Sequence, residues 1–363
     1  MGFRRRPLED VVVTPSFWRG RRVFLTGHTG FKGAWLALWL HKLGAEVSGY
    51  ALLPPTQPSL FEGARISELV TSIMADIRDL PRLTAALRDA NPELVFHLAA
   101  QALVRRSYAD PIETFSSNLM GTVNLLDAMR SCPSVRAAVV VTSDKCYENR
   151  GLERGYVETD PLGGFDPYSS SKACAEIATA AYRRSFFGDG PAVATARAGN
   201  VIGGGDWAID RLVPDAVRAY CSGQPVRLRY PYATRPWQHV LDPLAGYLLL
   251  AEKLLEGEVC AEAWNFGPAD DHVAPVAQVV EALARKWGRD RAWEQDSGRH
   301  PHEAQLLGLD AGKAHTRLGW APHLDMAQTI DWTAEWYLAW HDGADMRQVS
   351  ELQLDRYRNL AKS

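Results

Sequence analysis

The chain lacks the marks of several protein classes. None of its five cysteines (Cys132, Cys146, Cys174, Cys221, Cys260) forms a Cys-x-x-Cys pair, and their number is odd. A disulfide framework or zinc site is therefore not expected, and a reducing cytoplasm fits. It lacks an excess of one charge: 40 lysines and arginines stand against 43 acids, a formal −3 over 363 residues. Nothing global draws it to nucleic acid or an anionic membrane, so an anionic ligand has to be held by local cations. It lacks a long apolar run. The stretch near Tyr247–Leu255 is broken by Glu252 and Lys253, which argues against a membrane span. Residues 1–18 carry three arginines and a short VVV run but no signal-peptide core. Position 6 is Arg6, so Gly2 does not read as a myristoylation site. Repeats and low-complexity tracts are also absent. The length suits two domains, and 46% hydrophobic with 23% charged residues is ordinary for a globular chain.

What is present is alternation. Arg22–Thr26 reads as a short buried strand. It runs into Gly27-His28-Thr29-Gly30-Phe31-Lys32-Gly33, then an apolar helix to about Leu43, then a strand over Glu46–Ala51. Leu94–Leu98 and Ala137–Thr142 are continuous apolar runs, as parallel strands covered on both faces require. Helices are predicted near 81–90, 112–130 and 167–187, with a further strand at Ala192–Ala198. The fold class is α/β: a Rossmann-type doubly wound parallel sheet with a smaller mixed α/β C-terminal lobe for substrate. The expected division is an N-terminal arm (1–17), a cofactor domain (18–199 with about 237–262), a substrate domain (about 200–236 with 263–345) and a tail (346–363).

Gly27, Gly30 and Gly33 spell GxxGxxG between a strand and a helix. Such a turn lets backbone approach a pyrophosphate, and the helix N-terminus supplies N–H groups. Thr29, Phe31 and Lys32 belong to the same turn. The second strand ends without the acid that selects NAD or an arginine that selects NADP, so it does not choose between them. Asp76 and Ile77 follow a predicted strand and either border the adenine or belong to a solvated loop.

The strand ending at Thr142 delivers Ser143-Asp144-Lys145 to the sheet edge where these folds bind ligands. Tyr168 and Lys172, at i and i+4, share a helix face. A free phenol titrates near 10; a lysine cation beside it would favour the phenolate and make it a usable base. A serine hydroxyl at the strand end can orient a sugar hydroxyl. Trp332, Trp336 and Trp340 at four-residue spacing read as a packing stripe. Cys146 reads as a small buried hydrophobe.

The segments GHTGFKGAWLALWLHKLGAEVSGYAL, FHLAAQALVR, NLMGTVNLLDAMR, VTSDKCYEN, GGFDPYSSSKACAE, ARAGNVIGGGDWA and ATRPWQHVLDPLAGYLLLAEKL together resemble the CDP-D-glucose 4,6-dehydratases of the extended short-chain dehydrogenase/reductase group. The resemblance covers about residues 18–345. It implies NAD as cofactor and oxidation of glucose at C4. Water is then lost across C5 and C6, and hydride returns to C6. It implies Tyr168 as base, helped by Lys172 and Ser143, and Asp144 as the acid for the C6 hydroxyl. Lys145 stands where relatives that use dTDP-glucose carry a glutamate. Either its amine is depressed enough to take the C5 proton, or it is an electrostatic aid. The resemblance further assigns Leu98, Ala99, Ala100 and Thr142 to the cofactor. To the substrate it assigns Gln101, Asn200, Arg211, Arg235, His239 and His302. It implies no metal, and the histidines offer no third ligand at sensible spacing. It implies a homodimer or dimer of dimers through the helices near 112–130 and 168–187. Tyr230 stands where an asparagine is usual, which bears on base preference. An epimerase or a dehydratase of another nucleotide sugar would share the scaffold, and so would a silent NAD-sensing protein. Asp144 argues for elimination, and the intact set of Ser143, Asp144, Tyr168 and Lys172 for catalysis.

Overall fold

The computed structural model of the protein describes residues 13–269, 273–298 and 307–360. Its frame is a seven-stranded parallel sheet built from β1 (Arg22–Thr26), β2 (Glu46–Ala51), β3 (Thr71–Met74), β4 (Leu94–His97), β5 (Ala137–Val141), β6 (Ala192–Ala198) and, after the smaller strands β7 (Asn200–Ile202), β8 (Val226–Leu228) and β9 (Thr234–His239), β10 (Ala263–Phe266). The order across the sheet is β10-β6-β5-β4-β1-β2-β3. The strands alternate faces. Val23 and Leu25 of β1, with Val139 and Val141 of β5, enter one core, and Phe24, Ala138 and Val140 enter the other. Two buried faces explain why these strands read as unbroken apolar runs. The Rossmann-type doubly wound sheet is therefore as the sequence indicated. It reaches Phe266, a few residues past the expected limit near 262.

Helix starts are set by side chains. Asp79 accepts from the N–H of Arg82 and begins Leu80–Ala90, and Asn91 in the left-handed region ends it. Asp166 accepts from the N–H and hydroxyl of Ser169 at 2.9 and 2.6 Å and begins Pro167–Ser185. That cap fixes the rotation of Tyr168 and everything four residues on. The helix expected near 112–130 is interrupted. It runs Pro111–Phe115, widens into a π-turn at Ser116–Met120, and resumes at Gly121–Arg130. The wide turn carries the buried Asn118, whose amide bonds Gln101 backbone and Ser171 Oγ.

The smaller lobe holds a sheet of β7, β9 and β11 (Val273–Pro275), and a pair of β8 with β12 (Trp293–Gln295). Trp332 and Trp336 are buried on the helix Met326–His341, as their spacing predicted.

The segments at either end of the described residues are packed. Trp18 is buried and its indole N–H donates to Glu252 Oε1 at 2.7 Å, with the Thr14 N–H on the same oxygen. The expected tail is a helix, Met346–Leu360, burying Met346, Ser350, Leu354 and Tyr357 on one face at helical spacing. Burying a side chain such as Leu354 contributes roughly 1.5–3 kcal/mol. No helix among the described residues is long and apolar enough to cross a membrane.

The terminal helix is tied to the frame through Asp242, fully buried in the first turn of the helix Leu241–Leu255. Its Oδ1 accepts from Tyr357 hydroxyl and His323 N–H, both at 2.8 Å, and its Oδ2 makes no hydrogen bond among the described residues. Burial pushes this carboxyl up to about 7. Burial raises Glu252 to a similar value. Folding thus favours the neutral form of each, so their contribution to stability is fully present below the ordinary carboxyl range near 4 and is lost progressively as pH rises to about 7, above which it changes no further. We expect the melting temperature to fall from about pH 4 to about pH 7 and then to level off. Asp242→Asn should flatten that slope by about half, since Glu252 remains. An unchanged slope in thermal melts of the variant would contradict this reading.

Candidate active site

At the end of β5 the chain passes from apolar to ionisable within two residues. Ser143 caps a single 3-10 turn, Asp144–Cys146, accepting from the Lys145 N–H at 3.2 Å. Its hydroxyl donates to Asp144 Oδ1 at 2.8 Å, and Lys145 Nζ lies 3.2 Å from the same oxygen. Ser143 also acts on the Tyr168 phenol, favouring its anion against burial. Tyr168 and Asp144 thus both bear on Ser143. All three are buried. Lys172, four residues along the Tyr168 helix, directs its amine to Val141 carbonyl at 3.3 Å.

Several groups act on the phenol. Burial raises Tyr168 above an ordinary tyrosine, and the influences opposing it are Lys145, the Ser143 hydrogen bond and Arg211. Burial alone would lower Lys145, but Asp144 and Tyr168 more than offset it, leaving its amine above the usual lysine value. Of the two readings of Lys145, the structure supports the ammonium partner of Asp144. Burial pulls Lys172 down to about 8. Burial, then repulsion from Arg211, brings Lys32 down to about 7, with Asp144 opposing and Lys172 and Lys145 adding to the effect.

Those couplings place the glycine turn against the end of β5. The turn lies between β1 and β4, where the strand order reverses, the crevice in which such sheets take ligands. Gly27 sits at φ +78°, and a Cβ there would lie 2.6 Å from Ala99 N; one on Gly33 would lie 2.0 Å from Gly27 O. The loop is that tight because Thr26 Oγ1 accepts from the N–H groups of Leu98 and Ala99 at 3.1 and 3.2 Å. Gly30 precedes the helix Phe31–Lys42 and offers no side-chain cap, so the first-turn N–H groups are open to an anion. Thr29 braces the turn by donating to Leu52 carbonyl at 2.9 Å. The residues present fit a dinucleotide's pyrophosphate.

Other expected positions divide. Arg211 bonds Asp206 at 2.8 Å and acts on both Lys32 and Tyr168. Arg235, half-buried on β9, acts on Lys145. Asn200 lies half-buried on β7, paired with Trp237. Thr142 is buried and donates to Glu176 Oε1 at 2.5 Å. Asp76 is held by Arg78 at 2.5 Å, and that bond keeps its carboxyl below the ordinary range. Ile77 packs in the core under the sheet. Leu98, Ala99 and Ala100 follow β4 beside the glycine turn.

Two expected positions have protein partners. His239 is fully buried, edge-on to Trp332 at 5.8 Å, and its Nδ1 accepts from the Leu241 N–H at 3.4 Å. The Gln101 amide is occupied by Leu103 N–H and carbonyl and by Thr114 hydroxyl, which makes it a loop brace. His302 lies outside the described residues. Cys146 is buried and burial pushes its thiol well up, as suits a small hydrophobe. Sequence reasoning missed Asn118 and the buried pair Glu176–Arg197 at 2.9 Å. Glu176 was signalled by a further four-residue step beyond Lys172; Asn118 had no local signal, because the wide turn that buries it is a tertiary feature.

The comparisons with known proteins agree with this geometry. The GDP-mannose 4,6 dehydratase family model matches residues 24–333. A CDP-glucose 4,6-dehydratase of Salmonella typhimurium is 49% identical over 353 residues, covering 95% of this chain and 98% of the relative. A dTDP-glucose 4,6-dehydratase of Streptomyces antibioticus is 30% identical, over 74% of this chain and 76% of the relative. The solved dTDP-glucose 4,6-dehydratase of Streptomyces venezuelae, with NAD bound, shares the fold. Its TM-score is 0.75 at 24% identity, covering 90% of this chain and 99% of that one. With a matched segment that runs from β1 into the Trp332 helix and so takes in the glycine turn, the Ser143 turn and Tyr168, this chain belongs to the GDP-mannose 4,6 dehydratase family.

Proposed function

We propose that the protein is an NAD-dependent CDP-D-glucose 4,6-dehydratase, converting CDP-D-glucose to CDP-4-keto-6-deoxy-D-glucose and water. The observation that carries the reading is the buried cluster of Tyr168, Ser143 and Asp144, with the Ser143 hydroxyl and Lys145 on the acid, facing the glycine turn. The 49% identity to the Salmonella enzyme supports the choice of nucleotide. An epimerase needs no acid for C6, so the buried Asp144 favours elimination.

Gly27, Thr29, Gly30, Phe31, Lys32 and Gly33 would hold the NAD pyrophosphate, with Lys172 toward the nicotinamide ribose. When bound, NAD supplies a reversible hydride acceptor between C4 and C6. Tyr168 takes the C4 hydroxyl proton while Ser143 orients that hydroxyl. Ser143 also joins Tyr168 to Asp144, giving the proton a path to the acid. Asp144 then protonates the C6 oxygen and water leaves. The C5 proton passes to solvent, and a solvent proton returns to C5 when hydride reaches C6; Lys145, as an ammonium, favours the anion between the two transfers and is not the base. Arg211 and Arg235 suit a diphosphate through forked, charge-assisted bonds. A homodimer or dimer of dimers fits the exposed Ile112 (82%), Ile177 (57%) and Met120 (48%) on the helices expected to pair. A cytoplasmic location fits five free cysteines.

Incubation with CDP-, dTDP- and GDP-sugars in heavy water tests the assignment. Loss of the C6 hydroxyl and deuterium at C5 is expected with CDP-glucose foremost. A C4-epimerised product that keeps its C6 hydroxyl, or no turnover despite bound NAD, would overturn it. Asp144→Asn should slow water loss more than C4 oxidation in single-turnover experiments; equal slowing would remove Asp144 from its role. Gly33→Ala should weaken NAD binding by about tenfold or more, a loss of about 1.4 kcal/mol. Calorimetric titration showing wild-type affinity would refute the pyrophosphate placement.

A further inference from the structure

Tyr168, Lys172 and Glu176 follow one another at four-residue spacing on one face of the Pro167–Ser185 helix, and all three are buried. The third has no part in the chemistry above, yet its surroundings are the most heavily bonded near the site. Glu176 Oε1 accepts from Thr142 hydroxyl at 2.5 Å and Arg197 Nε at 3.0 Å. Its Oε2 accepts from Thr195 hydroxyl at 2.7 Å and Arg197 Nη2 at 2.9 Å. Arg197 Nη1 continues to Tyr147 hydroxyl at 2.6 Å, and Tyr147 donates to Asn265 on β10 at 2.8 Å.

We infer that Glu176 is a positioning residue for the dehydratase reaction: its carboxylate keeps the buried Lys172 in the ammonium form and clamps the strand end at Thr142–Ser143 onto the helix carrying Tyr168. The inference rests on the proposed roles of Tyr168 and Lys172.

The charge argument is specific. Several ionisable groups lie around Lys172. Tyr168 and Glu176 share its helix, the turn after β5 brings Asp144, Lys145 and Cys146, β4 brings His97, the glycine turn Lys32, and β6 Arg197. Burial, then Lys172 itself, holds His97 neutral, and burial keeps the Cys146 thiol protonated. Glu176 is the foremost influence raising Lys172 against burial. Its own charge persists because Arg197, with the hydroxyls of Thr142 and Thr195, outweighs its burial and leaves it below the usual carboxylate range. The clamp argument is geometric. Thr142 precedes Ser143 directly, so the 2.5 Å bond to Glu176 fixes where the serine meets Tyr168.

The sign follows. Lys172 works as an ammonium, which exists below its pKa. Removing the Glu176 charge lowers that pKa and moves the alkaline limit of C4 oxidation to lower pH. The test uses the holoenzyme and Glu176→Gln. The Lys172 midpoint is read by NMR of isotope-labelled lysine side chains, assigned against Lys172→Met. The pH profile of C4 oxidation is read in single turnover. Both are expected to fall together by about one pH unit or more, so that oxidation above the shifted limit drops about tenfold. Glu176→Asp, which keeps the charge, should return the alkaline limit toward wild type. A folded Glu176→Gln with an unmoved midpoint, or with oxidation slowed equally at every pH, would overturn the inference. If the single variant does not fold, Glu176→Gln with Arg197→Gln removes both charges and is read the same way. Wild type failing to oxidise CDP-glucose would defeat the functional reading instead, and the NMR midpoint alone would then decide whether Glu176 sets the charge of Lys172.

Discussion

A buried charge needs a partner, and the ends of β5 and β6 are where this protein meets that requirement. Asp144 is answered by Lys145 and by the Ser143 hydroxyl. Glu176 is answered by Arg197 and two threonines. Lys32, Lys172 and Arg211, the last paired with Asp206, gather at the same edge, and burial holds the amines of Lys32 and Lys172 down, with Arg211 adding to the effect on Lys32. A chain of formal charge −3 thus presents a locally cationic crevice, the complement of a dinucleotide and a nucleotide sugar that each carry a diphosphate. Asp144 and Glu176 lie within it beside different groups: Asp144 against Ser143 and Lys145, and Glu176 four residues beyond Lys172 on one helix face.

The sheet makes this arrangement possible by bringing three distant segments to one edge. The glycine turn after β1, the Ser143 turn after β5 and the Tyr168 helix before β6 all emerge at the carboxyl ends of parallel strands. Thr26 holds the β4 end against the glycine turn, and Glu176 holds the β5 end against the Tyr168 helix. Local chemistry does the rest. Asp166 sets where the helix starts and so where the phenol points, and Ser143 turns the chain so that acid and amine meet.

Much of this was legible in the sequence because the signals were local. Continuous apolar runs gave the strands of the sheet close to their observed limits. GxxGxxG between strand and helix located the phosphate turn, and the Tyr168–Lys172 spacing gave one helical face. Tertiary contacts were less visible. His239 is next to substrate-like residues in sequence but faces Trp332 in space. Gln101 spends its amide on Thr114 and Leu103. The residues after 345 were read only as a tail, although Leu354 and Tyr357 recur at helical spacing and close a core around Asp242. Lys145 could not be resolved from sequence, because whether a buried amine holds its proton depends on what lies across from it.

If this cluster faces the C4 to C6 edge of a nucleotide-bound hexose, hydride moves along that edge without release. Turnover of CDP-glucose carrying deuterium at C4 tests this directly. The deuterium is expected on C6 of the product, delivered within the same molecule. Label retained at C4, or lost to solvent, would contradict it.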